Sequence, residues 1–269
     1  MKNYIRSGSL ISLILSISLI LSIYLPVSSY AAPGDLGEPR SSYDLGYAGE
    51  LKGKVVILSL FVNTPTTRWD VPSMHETLPV LKGATDYLLL ASEKYDAGVS
   101  FEYDWSKNRD LRYRIGVRYE ADDPDFTDKA DETIGELVSS RIDYKAILQE
   151  NGADSLFAIL YFKDEGRSYA ITYDGEDIPE ETVIMFSDSD ASTYAHEILH
   201  VFGAHDLYED AEYTADVVKY IKKKYPKEIM LKPEVKNKKI VSEISPLTAY
   251  HVGWIDSVED IKKYPQLER

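Results

Sequence analysis

His196, Glu197 and His200 stand within one five-residue stretch, and Gly203, His205 and Asp206 follow within six residues of the second histidine. On a helix, residues four apart share a face one turn apart, so both imidazoles can reach the same ion. Glu197 lies beside them. Two neutral imidazoles suit Zn2+, and a neighbouring carboxylate can take the proton of a water that such an ion acidifies, which is hydrolytic chemistry. Gly203 falls where a helix needs a residue that tolerates positive φ in order to stop and turn back. Beyond that turn, His205 and Asp206 are both candidates for a third ligand.

These side chains need a helix and a sheet to hold them. Asp188-Ser189-Asp190 supplies capping residues just before the histidine helix, whose other face carries Ile198, Leu199, Val201 and Phe202 and would bury against a sheet. Val55 to Val62 and Leu156 to Phe162 are continuous apolar runs of the kind that form strands buried on both faces. Val99 to Tyr103, Leu111 to Tyr119 and Thr182 to Phe186 read as further strands. Asp164-Glu165-Gly166 is a tight-turn signal that predicts a hairpin between Leu156–Phe162 and Tyr169–Tyr173. Helical spacing predicts a helix from Val80 to about Tyr95, and another from about Asp128 to Gln149, interrupted near Asp143 and ended by Gly152. After Gly203 the pattern gives a helix near Ala211 to Lys224 and then irregular chain. The sum is an α/β (α+β) domain with a mixed sheet.

The chain of 269 residues opens with Lys2 and Arg6, an apolar stretch from Leu10 to Leu25, Pro26 and then Ser29-Tyr30-Ala31. This is the form of a secretory signal peptide over residues 1–31, with an uncleaved membrane anchor as the alternative; either leaves the remainder outside. Residues 32–50, rich in glycine and proline, read as a flexible lead to a domain over 51–269. The absence of cysteine excludes a disulfide framework, a lipid-modified cysteine and a thiolate zinc site. A net charge of −15 disfavours nucleic acid as a partner and suits a soluble extracellular protein.

Residues 195–207 resemble the metzincin clan of zinc metallopeptidases, whose extended motif is His-Glu-x-x-His-x-x-Gly-x-x-His or Asp. The sixth residue after His200 is Asp206, so the chain is similar to the snapalysin-like branch in which aspartate is the third ligand. The resemblance implies a zincin-like fold: a twisted mixed sheet with long helices in an upper lobe (51–203) and a small irregular-plus-helix lower lobe (204–269). It implies catalytic Zn2+ on His196, His200 and Asp206, with His205 the competing ligand, and Glu197 as general base and acid. It also implies a methionine turn beneath the metal, for which Met230 qualifies, and a peptide or protein substrate laid along the edge strand near Ser168–Tyr173. Tyr208 and Tyr250 are candidates for a metal-proximal tyrosine.

Two other readings of the same residues stay open. A gluzincin-type peptidase would take a later glutamate such as Glu212 in place of Asp206, and an exported binding or adhesion module would use the metal structurally. Seven carboxylates between Glu120 and Glu132 offer oxygen ligands to Ca2+, although their spacing fits no EF-hand loop and a solvated loop and helix start is the better reading. Nine lysines between Lys219 and Lys239 form a basic island suited to an anionic polymer or to a solvated face. His75-Glu76 has Pro79 where a second histidine would be needed, and His251 reads as a structural histidine.

Overall fold

The computed structural model describes residues 47–103, 111–172, 181–208 and 213–268. The signal segment, most of the N-terminal lead, Tyr173 and Glu212 lie outside them. The described residues all belong to one compact unit.

Three strands form the centre of the main sheet: β1 (Lys54–Asn63), β4 (Ser155–Phe162) and β6 (Thr182–Phe186). They pair in parallel in the order β1-β4-β6, and β4 and β6 are buried along their whole length. Continuous apolar sequence permits this, because each strand must satisfy a core on both faces. The free edge of β1 pairs in parallel first with β2 (Ser100–Glu102) and further along with β3 (Arg112–Gly116). Strand β5 (Tyr169–Ile171) closes the other edge, antiparallel to β6. The fold is therefore α/β with a mainly parallel sheet.

Period-two alternation divides the apolar residues between two cores. Val56, Leu58, Leu60 and Val62 face one core with residues of α2 (Phe126–Ser140) and α3 (Tyr144–Asn151). Val55, Ile57 and Phe61 face the other, with α1 (Val71–Glu93) and α4 (Ala191–Val201). This second core does not stop at Gly203. It runs on through Leu207, Val217 and Ile221 of α5 (Ala215–Lys224), Ile229, Met230, and Leu247 of α6 (Pro246–His251), to Trp254 and Leu267. A last short helix, α7 (Glu259–Lys263), carries Asp260, which is fully buried and bonded by Lys224, Tyr220 and Tyr225.

Three expectations are corrected. Strands β4 and β5 do not form a hairpin: β6 lies between them, because its five buried residues demand a central place whereas the half-buried β5 suits an edge. Helix α1 begins at Val71 rather than Val80. Asp70 caps it in a reciprocal box with Ser73, and Pro79 lies inside the helix, tolerated because Met74, Thr77 and Leu81 on either side of it are buried. The segment after α5 is also less irregular than expected. It contains a two-stranded ribbon, β7 (Val235–Lys236) with β8 (Lys239–Ile240), turned by Asn237 and Lys238 at positive φ. Two successive positive-φ residues are the hairpin requirement that Asn-Gly usually announces. The interruption between α2 and α3 and the left-handed Gly152 stand as expected.

Candidate metal centre

Helix α4 starts at Asp190, whose carboxylate accepts from the Ser192 and Thr193 amides. Ala195, Ile198, Leu199, Val201 and Phe202 are fully buried, which fixes the helix against the sheet and α1. The helix ends where sequence predicts. Gly203 sits at φ +87°, and the Ala204 amide returns to the Leu199 carbonyl. The chain then folds back beneath the histidines.

That return places Asp206. Its Oδ1 lies 3.2 Å from His196 Nε2 and 3.2 Å from His200 Nε2, and the two nitrogens are themselves 3.2 Å apart. An edge of 3.2 Å is close to the ligand–ligand spacing around a tetrahedral ion with bonds of about 2.0 Å, so this donor set fits zinc with a fourth position left over. Among the described residues, His196, Glu197 and His200 are the group of three whose ligand atoms gather within 4.8 Å. Asp206 Oδ1 is buried and in hydrogen-bond geometry with no group, which is the state of a carboxylate oxygen aimed at a cation.

Both imidazoles are oriented by main chain. His196 Nδ1 is 3.0 Å from the Ile229 carbonyl, and His200 Nδ1 is 2.7 Å from the Ala204 carbonyl. A carbonyl only accepts, so each Nδ1 carries a proton, and each imidazole in its neutral form presents its Nε2 lone pair to the triangle. The Ile229 carbonyl is held in turn by a buried carboxylate, Glu228, which accepts from the Met230 and Ser245 amides on either side. Met230 itself is fully buried in this turn, and its carbonyl accepts from the Leu207 amide, next to Asp206.

The electrostatics follow from burial and neighbours. Burial pushes the Glu197 carboxyl above the ordinary glutamate value, against the pull of His196 and His200. Burial also opposes the charge of Asp206, but the two imidazoles and the Tyr208 phenol outweigh it and hold that carboxyl well below the usual range. His200 is raised: burial acts to lower it, and Asp206 and Glu197 more than compensate. Tyr208 donates to Asp206 Oδ2 and is pushed up to about 12 by burial and that carboxylate.

Other candidates fall elsewhere. His205 is engaged by other rings, with Nδ1 2.5 Å from the Tyr213 hydroxyl and its ring stacked 4.8 Å from that of His251. His251 is buried and pairs with the Leu267 carbonyl, as a structural histidine does. Of the two tyrosines singled out, Tyr208 meets Asp206, whereas Tyr250 is buried beside the His251 ring. In the acidic run, Asp123 is engaged by Lys129 and Glu120 by Thr66. Part of the basic island is neutralised, Lys224 by Asp260 and Lys227 by Glu243. Sequence reading missed Ile229, Ala204 and Glu228. The first two act through carbonyls that every residue possesses, and Glu228 had no spacing signal.

A cleft of about 580 Å3 opens over the centre, between α4 and the edge strand β5, and Glu197, Arg167 and Tyr208 line it. Fold and site together define a mainly parallel α/β protein with a His-Glu-His group able to hold a metal ion. No family model matches the chain, and no curated protein matches it. Two crystal structures of wild-type OgpA from Akkermansia muciniphila align with it at 12% and 13% identity, with TM-scores of 0.37 and 0.36. Each alignment spans 81% of this chain and 63% of OgpA, a likeness too slight to assign a family.

Proposed function

We propose that the protein is an exported zinc endopeptidase of metzincin-like design, with His196, His200 and Asp206 as metal ligands and Glu197 as the proton-transfer group. The observation that carries this reading is the triangle of two imidazole nitrogens and one carboxylate oxygen with 3.2 Å edges. Support comes from the antiparallel edge strand β5 beside α4, the buried Met230 turn that holds His196, and the open cleft. Zinc held there supplies Lewis acidity, which makes a water more acidic and a carbonyl more electrophilic. Glu197 accepts the proton of the attacking water and delivers it to the leaving amine. The Ile229 and Ala204 carbonyls keep both imidazoles in the ligating tautomer throughout. The outer edge of β5, which pairs with no further strand among the described residues, offers an extended peptide a strand to join.

The test pairs two proteins and one unfolded substrate such as casein. Wild type is expected to cleave it, to lose cleavage on chelation and to regain it with zinc. Glu197→Gln is expected to keep stoichiometric zinc and lose about 10²–10⁴-fold in rate, the usual contribution of a positioned proton-transfer group. Wild type that binds zinc and cuts nothing, or a Glu197→Gln protein whose function is unchanged, would leave the metal a structural part of a binding module.

A further inference from the structure

Arg167 stands at the wall of the cleft, and nothing in the reaction described above uses it. Its backbone is fixed on both sides. At Gly166 an added Cβ would come within 2.7 Å of the Phe186 ring, and the Gly166 amide bonds to Asp188 Oδ1 at 3.3 Å. At Ser168 the buried hydroxyl accepts from the Phe186 amide and pairs with Ser189 Oγ at 2.6 Å. The side chain between these anchors is exposed. Among the described residues its guanidinium has one hydrogen-bond partner, the Tyr208 hydroxyl at 3.2 Å. A guanidinium carries five donors in a planar fork, so most of this one faces the cleft unspent.

Three of the four carboxylates of the same cleft are occupied, and the fourth, Glu197, acts on Arg167 through space. Asp190 caps α4, Asp188 holds Gly166, and Asp206 faces the imidazoles and Tyr208. On the far side of Arg167 a second cavity, of about 620 Å3, is lined by Glu120, Asp122, Asp164 and Glu165. Carboxylates line the metal side as well, but a cation held by His196, His200 and Asp206 would offset them, which leaves Arg167 more open to an anion from that side.

We infer that Arg167 is a specificity residue that binds a carboxylate side chain of the substrate near the scissile bond. The inference rests on the peptidase reading and names its substrate class: peptides with an acidic residue beside the cut. The relay from Arg167 through Tyr208 to Asp206 contains two hydrogen bonds and one carboxylate. It spans at most about 8 Å, or two to three residues of extended peptide. The acidic residue therefore lies within three positions of the scissile bond.

The experiment takes a peptide cleaved by the wild type and compares Glu with Gln, and with Lys, at each of three positions on either side of the cut. At one position Glu is expected to exceed Gln by about tenfold in kcat/KM, chiefly through KM, and the ratio should fall as salt is raised. Arg167→Met should bring that ratio to about one, and Arg167→Glu should favour Lys over Glu at the same position. Zinc stoichiometry and circular dichroism check that each variant is folded. Glu/Gln ratios within twofold at every position overturn the inference while leaving the peptidase intact. So does an Arg167→Met protein slowed equally on all peptides, since Arg167 would then only brace Tyr208. Cleavage of no peptide at all removes the peptidase reading and this inference with it.

Discussion

Replacing Asp206 by asparagine should move stability in opposite directions with and without metal. In alkaline buffer, where both imidazoles are neutral and each Nδ1 donates to a carbonyl, both Nε2 atoms are acceptors, and Asp206 Oδ1 adds a third acceptor 3.2 Å from each. Such a triangle is favourable around a cation and unfavourable without one. Zinc held by four protein ligands is bound by about 10–16 kcal/mol, so one ligand is worth about 3–4 kcal/mol, or about two to three decades of affinity. The metal-free protein should respond the other way. An amide at position 206 turns its NH2 towards the two lone pairs and relieves a buried unsatisfied acceptor, a gain of about 1 kcal/mol. In a chain of this size that gain is about 2–4 °C in Tm. Competition with a chromophoric chelator reads the affinity, and thermal melts in alkaline buffer with excess zinc or excess chelator read the stability. His205→Ala is the comparison. Asp206→Asn with near-native zinc affinity, alongside a His205→Ala protein that has lost it, would refute the assignment and make His205 the third ligand.

Further perturbations test the supports of the site. Glu228→Gln turns an amide NH2 towards either the Met230 or the Ser245 amide, so it should cost about 1–3 kcal/mol in urea unfolding. Through the Ile229 carbonyl it should also weaken zinc binding by about 10–100-fold, measured with the same chelator. Asp190→Ala removes the cap of α4 and should cost about 1 kcal/mol of stability in the metal-free protein. Asp260 titrates below the ordinary aspartate value: burial acts to raise it, and Lys224, Tyr220 and Tyr225 more than compensate. Its contribution is therefore fully present above the unfolded aspartate value of 3.8 and is lost as pH falls through the lower folded value. Asp260→Asn should flatten the acid limb of stability against pH, and an unchanged slope below about pH 4 would assign acid unfolding to other carboxylates.

What could be read from the sequence divides by range. The histidine face, the cap at Asp190 and the turn at Gly203 lie within one helix and its ends, where spacing alone sets geometry. The two apolar strands were equally legible, because burial on both faces leaves an unbroken run. Pairing was not. The Asp164-Glu165-Gly166 signal marks a turn, but which strand lies beside β5 depends on β6, sixteen residues and more downstream of that turn. Pro79 concealed the start of α1, from Val71 to Pro79, since a proline that would end an isolated helix is carried here by tertiary packing. The carbonyls that orient the histidines left no mark on the sequence, because backbone acceptors carry no residue signature.

The bond from His196 to the Ile229 carbonyl has a consequence for the order of events during synthesis. Helix α4 can form as soon as its own residues emerge, yet one of its imidazoles is unrestrained until a segment 33 positions later has docked. A nascent chain that ends anywhere before that segment holds the full motif without its completed geometry. The completed geometry of the metal centre would thus arrive late, only once the turn at Ile229 has been made. In metal-loading experiments on chains truncated from the C-terminus, the step in zinc affinity should fall at the 228–230 turn rather than at Asp206.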